Sequence, residues 1–344
     1  MNCCPNKSRM QIYPTYMYGH KKRLLGGIFS MVPPCRSFGE VFGGTGVVSA
    51  YAKRLGMKIS INDNLQFLHL QHKALIVNDG VVLDESDLKL LTAPTRVAAP
   101  WIERFYLGTF GQRNARFLDR WAANIYKLED PIKREIAIWL AILCAQRRIK
   151  YYAARVSPGG IVSGSQKLCV CDLSSDILMF VRHYLPRIII GNNGLIHEAY
   201  NQDAVTLISR IGVDVCYIDS PYCCRGGEYE KDLAFYEHLL RILSGHGTDV
   251  RHPWSPKADL SPYTDFSEPS KAMGGYATIF AQSTHIPVLI VSYNTSSGIT
   301  PEQIQTLAEA NDRRMTARQA YVYPLPTNSK KPDRTSSEVL MKFE

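Results

Sequence analysis

Residues 213–222 read Val-Asp-Val-Cys-Tyr-Ile-Asp-Ser-Pro-Tyr, and few structures other than a buried strand suit them. A short apolar run with β-branched residues predicts a strand covered on both faces. It stops abruptly at an acid, a small residue, a proline and an aromatic ring. In an open α/β sheet, ligands sit beyond the carboxyl ends of the strands. At such an edge Asp219 accepts hydrogen bonds from an amino group. Pro221 stiffens the turn so that backbone carbonyls point one way, and Tyr222 offers a flat face to a planar ring. An ordinary turn closing a strand reads the same from these four residues, so the decision lies upstream.

Upstream, residues 16–25 (Tyr-Met-Tyr-Gly-His-Lys-Lys-Arg-Leu-Leu) lead into an apolar segment, 26–32, that Pro33-Pro34 terminates. Residues 37–49 then predict a strand ending at Glu40-Val41, a turn of Phe42, Gly43, Gly44, Thr45 and Gly46, and a helix running towards Leu55. Glycines let a backbone approach a ligand closely, and a helix N-terminus offers free N–H groups. No Gly-Lys-Ser/Thr follows, so this is not a phosphate-binding P-loop. Gly44-x-Gly46-x-x-Ser49 only half matches a dinucleotide fingerprint. A second strand, 58–62, ends in Asp63, about 20 residues after the glycine turn, where nucleotide-binding sheets use an acid to bind ribose hydroxyls. Capping the next helix is a compatible role for it.

From about residue 85 to 165 the text changes to helical periodicity, clearest over 114–128 and 131–149, with Trp121, Ile125, Ile136, Trp139 and Leu143 on apolar stripes. Between Arg113 and Arg155 ten Lys or Arg stand against four acids, which is two-thirds of the chain's net charge of +9. Such clustering is expected of a protein that meets a polyanion. A solvated helical face is the blander reading. The insertion closes in a Pro-, Gly- and Ser-rich loop at 157–165. Sheet-like text resumes at 187–190, 196–200 and 214–218, and Asp203 supplies another strand-end acid. A helix is predicted over 231–243, then a loop over 245–275, then strands at 288–292, 320–323 and 339–343.

The chain's 344 residues suit one large α/β domain with an insertion, or two domains. Its mean hydropathy of −0.14 fits a soluble protein. No apolar run approaches the roughly 18 residues that cross a membrane, and the first residues hold no apolar signal core. The nine cysteines include no Cys-x-x-Cys pair, and Cys169-Val170-Cys171 is a weak zinc signal. A cytoplasmic protein with free thiols and no metal is therefore expected.

Taken in order, these motifs resemble the D12-class, Dam-like DNA adenine N6-methyltransferases over nearly the whole chain, from Met17 to Phe343. Gly19-His20-Lys21 resembles the family's Gly-x-Lys element, Glu40-Val41-Phe42-Gly43-Gly44-Thr45-Gly46 its cofactor loop, and Asn62-Asp63 its ribose-binding acid. Asn201-x-Asp203 is similar to the acid near the cofactor's adenine. Asp219-Ser220-Pro221-Tyr222 stands at the family's catalytic Asp-Pro-Pro-Tyr, and Ser292-Tyr293-Asn294 resembles a late strand.

The resemblance implies an α/β fold, a Rossmann-like S-adenosylmethionine-dependent methyltransferase sheet built from residues 1–84 and 166–344. Residues 85–165 would form a basic, helical target-recognition insertion. It further implies S-adenosyl-L-methionine as cofactor, held by Met17, Lys21, Glu40, Phe42, Gly43, Gly44, Thr45, Gly46, Asp63 and Asp203. Catalysis would fall to Asp219, Ser220, Pro221 and Tyr222. Double-stranded DNA would be gripped by Arg113, Arg116, Arg120, Arg147, Arg148 and Lys150. A cognate restriction endonuclease is the further partner it suggests, with the enzyme a monomer or weak dimer.

Two positions depart from the pattern. Met17 stands where the family has an aromatic, with Tyr16 and Tyr18 beside it. Ser220 replaces the first proline of the tetrapeptide, but that residue acts through its main-chain carbonyl, which serine keeps, so activity is expected to survive. Cytosine N4 methylation is the nearest alternative, and the leading acid Asp219 favours adenine. A catalytically silent DNA-binding module and methylation of RNA or of a protein amide are the other readings.

Overall fold

The structure is a computed structural model that describes residues 21–148, 156–157, 160–161, 172–189, 193–222, 228–245, 266, 269–295, 297–324 and 335–344. Met17, Lys150, the paired cysteines at 169 and 171 and most of the 157–165 loop lie outside the described residues.

In chain order, a 3-10 turn (Lys21–Leu24) and α1 (Leu25–Met31) precede β1 (Ser37–Glu40), α2 (Val47–Arg54) and β2 (Lys58–Asn62). Helices α3 (Gln66–His72), α4 (Glu85–Thr92), α5 (Trp101–Ile125) and α6 (Pro131–Arg148) follow, then the short strands β3 (Val156–Ser157) and β4 (Gly160–Ile161). Next come α7 (Leu173–His183), α8 (Leu185–Ile188), β5 (Glu198–Tyr200), α9 (Ala204–Ile208), β6 (Val215–Ile218) and α10 (Glu228–Leu243). The chain closes with α11 (Pro269–Gln282), β7 (Val288–Asn294), α12 (Pro301–Glu309), β8 (Met315–Pro324) and β9 (Thr335–Phe343).

These elements form two compact units. One comprises Lys21–Asn64, Gly194–Glu228 and Ser261–Glu344. It holds a seven-stranded sheet in the order β5-β2-β1-β6-β7-β9-β8. The strands from β5 to β7 are parallel, and β9 and β8 run antiparallel. This mixed α/β sheet is the fold class that the motifs imply. Its parallel strands are apolar nearly throughout, as burial on both faces requires: Phe38, Ile59, Ile61, Val215, Ile218, Leu289 and Val291 are all fully buried. Gly39 sits where β1 passes close to its neighbour, since a Cβ there would meet a Val213 methyl at 2.9 Å.

From β1 the chain proceeds outward to β2 and β5 on one side, and β6 returns against the other side of β1. The order therefore reverses between β1 and β6, and the carboxyl ends of those two strands are where such sheets bind their ligands. Glu40 ends one of them and Asp219 follows the other.

The helical unit comprises Met1–His20, Leu65–Asn193 and Tyr229–Leu260. It is wider than residues 85–165 because its core draws in α3 and α10. Trp139 Nε1 donates to Gln71 Oε1 at 3.2 Å, Phe67 N donates to Glu237 Oε1 at 3.0 Å, and the Tyr106 ring packs edge-on against Phe235 at 5.0 Å. Within α5 the backbone leaves helical geometry at Tyr106 and Gly111. The kink lets buried Asp119 accept from the Ile102 and Glu103 amides, both at 2.8 Å, so the second half of the helix caps the first. The periodicity legible from residue 114 onward is that second half.

Some expectations fail locally. The strand expected at 187–190 is not found over its described part, residues 187–189: Leu185–Ile188 is helical, and Pro186 lies in its first turn, where a missing N–H costs little; residue 190 lies outside the described residues. Ile188 and Ile189 are buried by packing rather than by pairing. A three-isoleucine run cannot by itself separate strand from buried helix. Part of the 245–275 loop is also helix, since α11 begins at Pro269. Inside the 157–165 loop, Ser157 and Gly160 pair as the end of a small hairpin.

Candidate active site

The glycine turn is tied at both ends. Gly43 N donates to the Asn62 carbonyl at 2.7 Å, and Gly44 N donates to Asp63 Oδ2 at 2.9 Å. Gly44 and Gly46 have φ of 49° and 71°, in the left-handed region that a side chain disfavours. A Cβ at Gly44 would meet nothing within 4 Å, so open space borders the turn there. Phe42 is half-buried and packs edge-on to Phe266 at 4.9 Å, and Thr45 is half-buried.

Glu40 folds back into the first turn of α2, where Ser49 N and Ser49 Oγ donate to its Oε2 at 3.1 and 2.5 Å. Burial outweighs these bonds and pushes its carboxyl up to about 8, with Asp219 and Asp63 adding like-charge repulsion. Asn62 knits β2 to its neighbours through the Val41 and Gln202 carbonyls, and Asn201 Nδ2 donates to the Asp63 carbonyl at 2.8 Å. Asp203 is exposed and caps α9 by accepting from Thr206 N at 2.9 Å.

Across the switch point, the turn after β6 joins a buried cluster of charges. Lys21 Nζ lies 2.8 Å from Asp219 Oδ2 and 2.9 Å from Glu338 Oε1. It also donates to the Tyr222 hydroxyl at 2.5 Å. That hydroxyl in turn lies 2.6 Å from Glu338 Oε1 and 3.2 Å from Asp219 Oδ1. The Lys21 ammonium is 5.0 Å from the Tyr222 ring centroid and bonded to its oxygen, so it sits towards the hydroxyl end, and the Tyr293 ring packs against Tyr222 in a T-shaped contact at 5.8 Å. Ser220 is buried, and its Oγ shares a hydrogen bond with Tyr276 Oη at 2.8 Å. Pro221 is half-buried.

Exposure separates the two carboxylates. The Asp219 side chain is 18% exposed, against 4% for Lys21 and 1% for Glu338. Only Asp219 is open to a ligand. Burial raises the Asp219 carboxyl above the ordinary range and Glu338 adds to this, while Lys21 opposes both. Burial also works to raise Glu338, but Lys21 and the Ser292 and Tyr222 hydroxyls outweigh it and hold Glu338 low. Lys21 stays protonated because the two acids overcome the cost of its burial.

Glu338 is the residue that the sequence reading missed. It stands on β9 opposite Asn294 of β7. A glutamate directly before the apolar run Val339-Leu340-Met341, five residues before the final aromatic, was the available signal. Ser292 completes the group, its Oγ donating to Glu338 Oε1 at 2.5 Å.

In the helical unit, Arg113, Arg116 and Arg120 are exposed and share one face of α5 at helical spacing. Arg113 pairs with Asp172 and Arg116 with Glu103, each at 2.8 Å. Arg147 and Arg148 end α6. Among the described residues no cluster of three metal-binding side chains occurs, and no helix is long and apolar enough to cross a membrane.

A family model described as D12 class N6 adenine-specific DNA methyltransferase matches residues 18–97. Over 336 residues the chain is 24% identical to Type II methyltransferase M2.HphI of Haemophilus parahaemolyticus, covering 94% of this chain and 96% of that protein. The chain is similar to D12-class DNA methyltransferases. Type II methyltransferase M.FokI of Planomicrobium okeanokoites and Modification methylase StsI of Streptococcus sanguinis are each also 24% identical over 84% of this chain, which spans 44% and 45% of their lengths. The motif-based resemblance and the expectation of a methyltransferase are thus borne out. The matched segment includes Lys21, Glu40, the glycine turn and Asp63.

Proposed function

We propose that the chain transfers a methyl group from S-adenosyl-L-methionine to the N6 amine of an adenine flipped out of duplex DNA. The observation that carries this is the partly open, ion-paired carboxylate of Asp219 at the end of β6, followed by Ser220, Pro221 and Tyr222. The cofactor fits the residues present. Open space borders Gly44, and the carboxylates of Asp63 and Asp219 suit the site to a sulfonium cation. Lys21, the turn from Glu40 to Gly46 and Asp63 would hold it, with Met17 and Asp203 as further contacts. When bound, it supplies a methyl already activated for transfer.

The adenine amine is a poor nucleophile because its lone pair is delocalised into the ring. Asp219 and the Ser220 carbonyl accept its two hydrogens, which favours a tetrahedral nitrogen with the lone pair directed at the methyl carbon. With the cofactor supplying the methyl group, the nitrogen would give up one proton towards Asp219 as it is methylated. Positioning and charge carry most of the rate. Extruding the base costs a few kcal/mol, and stacking on Tyr222 returns about 1–3 kcal/mol.

Double-stranded DNA is held through its phosphates by Arg113, Arg116 and Arg120, with Arg147, Arg148 and Lys150 as further contacts. The exposed ion pairs of the first two are worth about 0–1 kcal/mol, so phosphates displace their acids readily. The relatives' names, type II methyltransferase and modification methylase, support a modification role; a cognate endonuclease acting on the same sequence and a cytoplasmic location complete the reading.

Transfer of a tritiated methyl group to adenine-containing DNA tests the reading. Wild type is expected to label N6 of adenine. Asp219→Ala is expected to lose about 10²–10³ in kcat, the usual cost of one preorganised group, with Asp219→Asn milder. Label on cytosine, or an undiminished Asp219→Ala variant, refutes it. Ser220→Pro keeps the carbonyl and should keep turnover. Its lost bond to Tyr276 should lower stability by about 1 kcal/mol.

A further inference from the structure

Two carboxylates, one ammonium and two hydroxyls share the cluster behind Asp219, and the protons are not divided evenly. The Tyr222 hydroxyl accepts from Lys21 and has a single proton to give. Glu338 Oε1 lies 2.6 Å away and Asp219 Oδ1 3.2 Å, so the proton goes to Glu338. The Ser292 hydroxyl also gives its proton to Glu338, at 2.5 Å. Asp219 keeps Lys21 on Oδ2, and among the described residues its other oxygen has only the long contact to Tyr222.

We propose that Glu338 is a positioning residue for the transfer: it takes the Tyr222 and Ser292 protons and shares Lys21, leaving Asp219 Oδ1 open to an amine hydrogen and the Tyr222 ring fixed beside it. Glu338 does not touch the substrate, being 1% exposed. It acts through two residues that do. If Glu338 were neutral, Lys21 would belong to Asp219 alone and the Tyr222 proton would be free to turn to Asp219, filling the acceptor that the amine needs. The proposal rests on the methyl-transfer reading above.

The groups facing Asp219 are Lys21 from the turn before α1, Glu40 at the end of β1, Tyr217 on β6, Tyr222 on its own turn and Glu338 on β9. Of these, Glu338 adds a nearby negative charge, and removing it lowers the pH at which Asp219 titrates. A role confined to filling space between β7 and β8 would not move that titration.

The experiment compares wild type with Glu338→Gln in two measurements. The first follows Asp219 with a ¹³C-labelled carboxyl by NMR, in the protein without cofactor or DNA. Its midpoint is expected to fall by about one pH unit, the scale of a close like charge. The second measures methyl transfer to adenine-containing DNA against pH. There kcat is expected to drop tenfold or more while KM for DNA changes less than threefold, and the acid limb moves down with the titration. An unmoved midpoint, or wild-type kcat in a folded Glu338→Gln protein, overturns the proposal. If wild type itself transfers no methyl, the functional reading fails and this proposal with it, so the two failures are distinguishable. Should Glu338→Gln not fold, Tyr222→Phe keeps the ring but removes the proton that Glu338 takes. It is expected to lower kcat several-fold, and undiminished turnover there overturns the proposal equally.

Discussion

Lys21 Nζ stands between two carboxylates, 2.8 Å from Asp219 and 2.9 Å from Glu338, although 201 and 116 residues separate Tyr222 from Lys21 and Glu338. The first turn of the described chain, the central strand and the last strand therefore meet at one charge. Removing that charge strands two acids in a buried place. Lys21→Met should cost about 3–5 kcal/mol of stability, the usual penalty for breaking a buried pair. It should also raise the pH at which Asp219 ionises, moving the acid limb of methyl transfer upward. That is the opposite direction to Glu338→Gln. Denaturant unfolding and a pH–rate profile measure the two effects, and an unchanged midpoint with an unmoved limb would remove Lys21 from the cluster's energetics.

Asp63 invites a second test. Its Oδ2 accepts from Gly44 N at 2.9 Å, so the acid holds the glycine turn as well as facing the space beside it. Asp63→Ala should weaken S-adenosylmethionine binding in calorimetric titration by tenfold or more, through the loosened turn and the lost ribose contact together. Asp63→Asn keeps an oxygen that can accept from Gly44 and should lose less. Equal affinity in wild type and Asp63→Ala would take the acid out of the cofactor site.

The parallel strands were legible in the sequence because burial on both faces writes continuous apolar runs that stop at acids, as Val215–Ile218 stops at Asp219. The glycine turn was legible because its φ values demand glycine. Glu338 was not, because its partners lie in other strands and nothing near it in the sequence announces a lysine 317 positions away. Lys21 itself was legible only through the family motif. The isoleucines at 188 and 189 misled because an apolar run records burial and not the element that achieves it. The Ser49 position, read as half a fingerprint, proved to hold Glu40, a pairing that spacing alone does not reveal.

Glu40 gives the fold a pH dependence whose sign follows from its burial. The folded protein keeps a proton on this carboxyl up to about pH 8, whereas the unfolded chain releases it near 4.5. Between those values unfolding releases a proton, so stability falls as pH rises, and the contribution is lost once pH passes about 8. The loss is of the order of a few kcal/mol. Asp219 contributes a similar slope lower in the range, so the window from pH 6 to 9 isolates Glu40. Urea midpoints over that window should fall steadily for wild type and much less for Glu40→Gln. Parallel curves for the two proteins would show that Glu40 is already ionised in the fold.

The basic face of α5 makes a prediction about salt. Arg113, Arg116 and Arg120 lie at helical spacing on one exposed face, and two of them hold acids only through surface ion pairs. If that face grips phosphates, binding releases counterions, and log K should fall by about 0.9 per contact for each log unit of salt. Arg113→Glu with Arg120→Glu should weaken binding to every DNA sequence alike and reduce the salt slope by about 2, because phosphate contacts carry no sequence information. The substitutions are exposed, so unfolding should shift by no more than about 1 kcal/mol. Fluorescence anisotropy across a salt series on specific and unrelated duplexes separates the outcomes. A reduced slope on both duplexes supports phosphate contact. An unchanged slope means that the acids Asp172 and Glu103 keep these arginines and that α5 is only a solvated helix.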